Sequence, residues 1–333
     1  MSSERTHARF PGVGRRNGHY ESFYLKASRP GGGQAVWIRH TVHKRPGADP
    51  TASLWFTWFD REKAGPRAVK ATVGTEALEA PDGGYIRIGD SRLEPGRALG
   101  SAEAAGVSAR WDLRFEGETE PFRHLPKSWM YRAPVPRTKL LSPHPAVSYS
   151  GTVEIDGETI EISGWPGMVG HNWGAEHAER WIWMHGAGFA DRPEGIWFDG
   201  ALGRIKVGPA TLPWIGNGML AIDGREYRLG GIERVRATEV SEQPTACRFV
   251  LTGHDIRVTG RVGASAHHFV GWEYADPDGG AHNALNCSVA NMELIVERDG
   301  RPAETLALKG GAAYELGMRE TDHGIPLQPF PDG

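Results

Sequence analysis

Val153-Glu154-Ile155, Asp156-Gly157 and Thr159-Ile160-Glu161-Ile162 read as two short alternating runs joined by an Asp-Gly pair. A type I′ turn needs positive φ at both central residues, and Asp and Gly adopt it at low cost, so this stretch predicts a β-hairpin. The signature returns at Leu220 to Leu229 around Asp223-Gly224. It returns again at Leu294 to Leu306 around Asp299-Gly300, with a longer loop. Working outward, Ser22 to Ala27, Gln34 to His43, Ser53 to Asp60, Gly84 to Ile88, Arg110 to Phe115, Trp181 to Phe189, Gly195 to Ile205, Arg248 to Leu251 and Ile256 to Val262 carry strand-type patterns. Short alternating segments punctuated by turn dipeptides predict an all-β chain of antiparallel sheets closed into barrels or sandwiches. Few windows show helical spacing, and 45 glycines and 23 prolines suit turns, so only short helices are expected.

At 333 residues the chain exceeds a comfortable single core, which makes two domains of about 150 residues the default. From Pro121 to Pro145 it passes Pro126, Pro134, Pro136 and Pro143 without a strand pattern. The expected division is therefore 1–125 and 146–333, joined by a Pro-rich linker at 126–145. Hydrophobic residues make up 39% and the formal net charge is -3, which implies neither nucleic acid nor an anionic lipid surface as partner. Met1 to Gly12 holds Arg5, His7 and Arg9 and no apolar run, so neither a signal peptide nor a transmembrane segment is read there, and a cytoplasmic protein is expected. Cys247 and Cys287 have no partners at zinc or redox spacing and read as buried thiols.

Polar and aromatic groups are densest between Gly164 and Phe189. The stretch Gly164-Trp165-Pro166-Gly167-Met168-Val169-Gly170-His171-Asn172-Trp173-Gly174 is followed by Glu176, His177, Glu179, Trp181, Trp183 and His185. Glycines and a proline around His171, Asn172 and Trp173 suggest a constrained loop of the kind that presents functional groups. Trp181, Trp183 and His185 share one face of the next strand by period-2 alternation and suit a pocket wall. In the plainer account these tryptophans are core residues and His171 and Asn172 bond the loop backbone. A metal site from His171, Glu176, His177 and His185 fits no familiar ligand spacing, so no metal is expected.

The chain resembles the carotenoid hydratase (hydroxyneurosporene synthase) and AttH-like group, which is similar to tocopherol cyclases and fungal Diels-Alderases. Three stretches carry this: Glu21-Ser22-Phe23-Tyr24-Leu25-Lys26 with Ala35-Val36-Trp37-Ile38-Arg39-His40-Thr41, then Ala52-Ser53-Leu54-Trp55-Phe56-Thr57-Trp58-Phe59-Asp60, and His171-Asn172-Trp173-Gly174 with Trp181-Ile182-Trp183. The resemblance implies two lipocalin-like β domains packed together, with a hydrophobic ligand site between or within them. Hydratases of that group carry Tyr-His-Asp before His-Asn-Trp-Gly. Here the matching residues are Met168, Val169 and Gly170, so the acid is absent.

Protonating an alkene needs a proton donor, a dry pocket and aromatic faces that stabilise developing cationic charge. Candidate donors are Glu21, an acid within an apolar strand, Asp199 in Trp197-Phe198-Asp199-Gly200, Glu176 and Glu273. The Asp199-Gly200 pair also reads as a hairpin turn. Arg39 would orient a polar substrate group. His171, Asn172, Glu21 and Asp199 stand as catalytic candidates, and Trp173, Trp181, Trp183, His185, Arg39, Trp37 and Trp55 as substrate-binding ones. No Gly-rich phosphate loop and no Gly-x-Ser-x-Gly elbow occurs, which argues against nucleotide-dependent and α/β-hydrolase chemistry. The expected function is hydration, cyclisation or isomerisation of an apolar isoprenoid- or polyketide-like molecule in secondary metabolism, with no cofactor. A non-catalytic carrier or sensor of a lipophilic ligand is the competing reading. A carbohydrate-active sandwich with paired carboxylates is a third.

Overall fold

The computed structural model describes residues 6–190, 192–207 and 210–330, so Met1 to Arg5 of the N-terminal stretch read above lie outside it. The described residues are 63% strand and 6% helix. All helix among the described residues is short 3-10 turn, the longest being Ile232–Ala237. Alternation and turn chemistry produce the expected hairpins. Val153 pairs with Ile160 across Asp156 (φ 51°) and Gly157 (φ 86°), and Ile222 pairs with Arg225 across Asp223 (φ 54°) and Gly224 (φ 71°).

Two large antiparallel sheets result, each curled into a half-barrel, as expected for a lipocalin-like two-domain fold. The N-terminal sheet runs from Arg67–Val73 through Thr51–Asp60, Gln34–Lys44, His19–Ser28, Glu158–Gly174, Thr138–Ile155 and Val107–Glu116 to shorter strands down to Leu78–Glu79. The C-terminal sheet runs from Arg225–Gly230 through Ile215–Ile222, Arg192–Arg204, Arg180–Phe189, Glu304–Met318, Ala281–Arg298, Ile256–Gly263 and Ala246–Thr252 to Glu239–Gln243. Val270–Ala275 adds to Ala281–Arg298.

The sheets part between Gly174 and Arg180, not in the Pro-rich run. The expected linker at 126–145 holds a 3-10 turn, Ser128–Tyr131, and then enters the strand Thr138–Ile155, which pairs along the N-terminal sheet. Prolines 143 and 145 sit there at register shifts of that strand pair, where a missing N–H is tolerated. The Pro-rich stretch thus marks a short turn and an irregular strand of the N-terminal sheet.

Val107–Glu116 shows clean buried-exposed alternation, whereas His19–Ser28 is buried at every position and Gln34–Lys44 and Thr51–Asp60 at all but the first. Both faces of these three strands are covered. One face carries Phe23, Leu25, Val36, Ile38 and Phe56 into the N-terminal core against Trp111 and Tyr149. The other carries Tyr24, Trp37 and Trp55, with the buried polar residues Ser22, Lys26, Arg39 and Thr41, against the C-terminal sheet. Covering an aromatic side chain stabilises by about 1.5–3 kcal/mol, and the rings of this layer hold the two sheets together. Polar bonds cross it too: Ser28 Oγ donates to the Gly311 carbonyl at 3.0 Å, Lys26 Nζ donates to the same oxygen, and Arg61 Nη1 donates to Asn291 Oδ1 at 3.0 Å. Cys247 and Cys287 are both free and buried. No helix of the described residues is long and apolar enough to cross a membrane.

Candidate functional site

His171, Asn172 and Trp173 do not lie in a loop; they end the strand Glu158–Gly174. The glycines that suggested a loop are there for close approach. A Cβ on Gly167 would fall 2.0 Å from the Lys26 carbonyl oxygen, one on Gly174 2.0 Å from that of Arg137, and one on Gly170 2.2 Å from Cζ of Tyr24. Strand parity then divides the motif. His171 stands opposite Phe23 and Trp173 opposite Glu21, while Asn172 stands opposite Ser22 on the other face.

On the inner face, His171 stacks on Phe23 at 3.9 Å and on Trp173 at 4.4 Å. Its Nε2 lies 2.7 Å from Glu21 Oε1, and the backbone N–H groups of Arg9 (2.8 Å) and Phe10 (2.7 Å) donate to the same carboxylate. Burial alone would raise the Glu21 carboxyl, but hydrogen bonds from His171 and His19 outweigh it and pull it down to about 2. Burial pushes the His171 imidazole below its ordinary value, against the pull of Glu21. Glu21 is therefore an ionised anchor for the N-terminal segment. Those four donors favour the carboxylate form over the proton-donating form expected from the sequence.

The layer between the sheets gathers Arg39, Trp37, Trp55, Trp181, Trp183, His185 and Asp199, with Asn172 on the face turned toward them. Trp181, Trp183 and His185 do share a face. Their neighbours on one side are Gly317, Glu315 and Ala313 and on the other Gly203, Ala201 and Asp199, mostly small residues that leave room for indole rings. Asp199 is no turn residue: it lies mid-strand, opposite His185 and Met219, and Gly200 is needed because a Cβ there would meet the Phe198 ring at 2.8 Å. Ser142 Oγ donates to Asp199 Oδ2 at 2.5 Å, His124 Nε2 lies 3.3 Å from it, and Trp183 Nε1 donates to Oδ1 at 3.3 Å. Burial raises this carboxyl, but His124, His185 and Ser142 together bring it below its ordinary value, so Asp199 also stays ionised. His185 Nε2 donates to the Pro145 carbonyl at 2.9 Å, and burial pushes its imidazole down to about 4.

Arg39 sits 3.9 Å over the Tyr274 ring and 5.3 Å over Trp55, its Nε donating to Ser22 Oγ at 2.7 Å. It is 4% exposed, and its Nη1 is buried with no hydrogen-bond partner among the described residues. Trp55 Nε1 donates to Thr41 Oγ1 at 2.8 Å. Sequence reasoning missed three residues here. The Glu315 carboxylate accepts from Trp181 Nε1 at 2.9 Å, Asn286 Nδ2 at 3.0 Å and the Tyr274 hydroxyl at 3.2 Å. Tyr24 meets Trp183 edge-on at 5.3 Å. Burial, and then the nearby Asp199 and Glu315 carboxylates, push its phenol well above the ordinary value, so it keeps its proton. Tyr24 and Tyr274 were not among the candidates read from the sequence, although the alternation that grouped Trp181 with Trp183 also groups Tyr24 with Ser22 and Lys26. Of the remaining donors, Glu176 pairs with Arg137, and Glu273 lies half-buried opposite Asn283, on the face away from Tyr274.

No protein-family model matches the chain. It is 24% identical over 313 residues to the uncharacterized Mycobacterium tuberculosis proteins Rv0493c and MT0513, covering 91% of this chain and 88% of theirs. Two crystal structures share the fold. One, titled as an AttH from Nitrosomonas europaea, aligns with TM-score 0.56 at 13% identity over 95% of this chain and 98% of that one. The other, kievitone hydratase from Nectria haematococca, aligns with TM-score 0.52 at 9% identity over 90% of this chain and 88% of that one.

Proposed function

We propose that the protein is an enzyme that hydrates, cyclises or isomerises an apolar isoprenoid- or polyketide-like molecule in the layer between its sheets, using its own side chains. The observation that carries this reading is the buried Arg39 guanidinium, stacked on Tyr274 with Nη1 unpartnered, in a layer whose carboxylates Glu315 and Asp199 are themselves fully engaged. A buried charge costs several kcal/mol unless it is used, and an Arg in an aromatic frame suits a carbonyl or hydroxyl on an otherwise apolar substrate.

In this scheme Arg39 holds and polarises the substrate's oxygen, and Asn172 and Asn286 bond its other polar groups through buried oxygens that lack partners among the described residues. Tyr24, kept protonated, donates a hydrogen bond to the substrate's oxygen beside Arg39. Faces of Trp183, Tyr274 and Trp55 stabilise positive charge as it develops on the unsaturated skeleton. Fold likeness to a hydratase supports the reaction class.

A carrier is the second reading, favoured by the ionised state of Glu21 and Asp199, neither of which offers a proton. Untargeted metabolite comparison of a deletion strain with its parent separates the two. An enzyme leaves an accumulated precursor and a missing product; a carrier leaves both present.

A further inference from the structure

His177, Asp276 and His282 are far apart in sequence and meet at one point. His177 comes from the connection between the two sheets, Asp276 from the turn after Val270–Ala275, and His282 from the strand that follows. Asp276 is held in place by its own turn, its N–H donating to the Gly280 carbonyl at 2.6 Å. His177 Nδ1 lies 2.7 Å from Asp276 Oδ1, His282 Nδ1 lies 3.2 Å from Asp276 Oδ2, and one ligand atom from each residue falls within 4.8 Å of the others. The three side chains are 7%, 1% and 0% exposed.

A hydrogen-bonded relay explains only half of this cluster. His177 donates to Asp276 Oδ1 through its backbone N–H at 2.8 Å, and its Nδ1 lies 2.7 Å from the same oxygen. His282 Nδ1, in contrast, stands 3.2 Å from Asp276 Oδ2 as a charge contact that helps hold the carboxyl below its ordinary value, with neither atom in a well-formed hydrogen bond among the described residues. Neither does any described group bond the other nitrogen of His282 or Nε2 of His177. Close, buried and unaligned is how ligand atoms stand around a shared ion: at a zinc–ligand distance of about 2.0–2.1 Å, tetrahedral neighbours are roughly 3.3 Å apart. Two imidazoles and one carboxylate are a donor set for a first-row divalent cation with positions left open.

We propose that His177, Asp276 and His282 form a binding site for a divalent transition-metal ion of the zinc class. Tyr20 stacks on His177 at 3.9 Å from one side and Trp181 at 5.3 Å, which fixes the imidazole plane and shields the site. Arg319 Nη2, 3.7 Å from Asp276 Oδ2, is the one cation beside the ligands among the described ion pairs, and it is also tied to Glu179. The ion would lock the connection between the sheets to the hairpin that carries Tyr274. The spacing test applied to the sequence misses this set because its members come from separate elements.

The test uses the full chain and zinc chloride alone. After EDTA treatment and dialysis into metal-free buffer, the protein is titrated with zinc against a chromophoric chelator, and its thermal midpoint is read with and without the ion. The expected result is one zinc per chain and a raised midpoint, with affinity at least 100-fold weaker in Asp276→Asn and His282→Gln but unchanged in His144→Gln, a histidine outside the cluster. Folding of each variant is checked by far-UV circular dichroism. If both variants fail to fold, cobalt(II) in the wild type decides: the proposal expects weak visible d–d bands without a thiolate charge-transfer band. Substoichiometric zinc, equal affinity in folded variants, or a cobalt spectrum of the free aqueous ion would each overturn the site.

Discussion

Phe23 and His171 face each other across neighbouring strands with ring centroids 3.9 Å apart and planes 7° from parallel. That contact sets the direction of the whole strand end. With His171 turned into the N-terminal core, Asn172 turns, like Tyr24 on the neighbouring strand, toward the C-terminal sheet, where Trp183 lies.

His171→Ala therefore acts on folding. It removes two stacking contacts and leaves the buried Glu21 carboxylate short of one of its two closest donors, which should cost about 3–5 kcal/mol in urea unfolding. Released from Glu21, the segment around Arg9 and Phe10 should also become open to limited proteolysis.

The pH dependence of stability follows from the same carboxylate. Its folded pKa of about 2 lies below the ordinary 4.5, so the stabilisation is fully present above 4.5 and is lost as pH falls toward 2. Over that window it amounts to about 3 kcal/mol. Unfolding free energy of Glu21→Gln, measured against the wild type across the window, should vary less with pH; parallel curves would place the effect elsewhere.

Lys26 gives the opposite kind of variant. Burial pushes its amine from 10.5 down to about 7, so its contribution is best above 10.5 and declines as pH falls toward 7, where the buried ammonium must form. Lys26→Met should raise the unfolding free energy near neutral pH by about 1–3 kcal/mol after loss of the bond to Gly311, and with it the thermal midpoint, and the gain should shrink in alkaline buffer. Differential scanning calorimetry at the two pH values reads it.

Two glycines give a packing test of the layer. A methyl at Gly170 meets Cζ of Tyr24 at 2.2 Å and one at Gly317 meets Cε2 of Trp181 at 2.1 Å, so either Ala substitution must displace its ring. Each should cost about 1–3 kcal/mol of stability and shift tryptophan fluorescence.

Much of the fold was legible because its information is local. Asp156-Gly157 and Asp223-Gly224 carry their own turn geometry, and alternation marked strands such as Arg110 to Phe115 to within a few residues. Asp199-Gly200 has the same letters and no turn, since Gly200 answers to the ring of Phe198 instead. That cause is tertiary and leaves no trace in the dipeptide. The site was half legible for a related reason: parity within Arg180–Phe189 grouped Trp181, Trp183 and His185 correctly, but the parity of Glu158–Gly174 was hidden by reading its glycines as a loop. Glu315 and Tyr274 become site residues only once two strands of the C-terminal sheet meet Arg39 from the N-terminal one.

The central claim is that the layer around Arg39 and Tyr24 converts an apolar substrate. The most direct measurement incubates purified protein with an organic extract of its own cells and follows all masses by liquid chromatography and mass spectrometry, for wild type, Arg39→Met and Tyr24→Phe, with thermal midpoints recorded in parallel. The account predicts that wild type consumes one compound and forms another that is heavier by one water or isomeric with it, and that both variants lose this conversion while remaining folded. Conversion that persists in both folded variants, or a compound bound and released unchanged by the wild type, would contradict it.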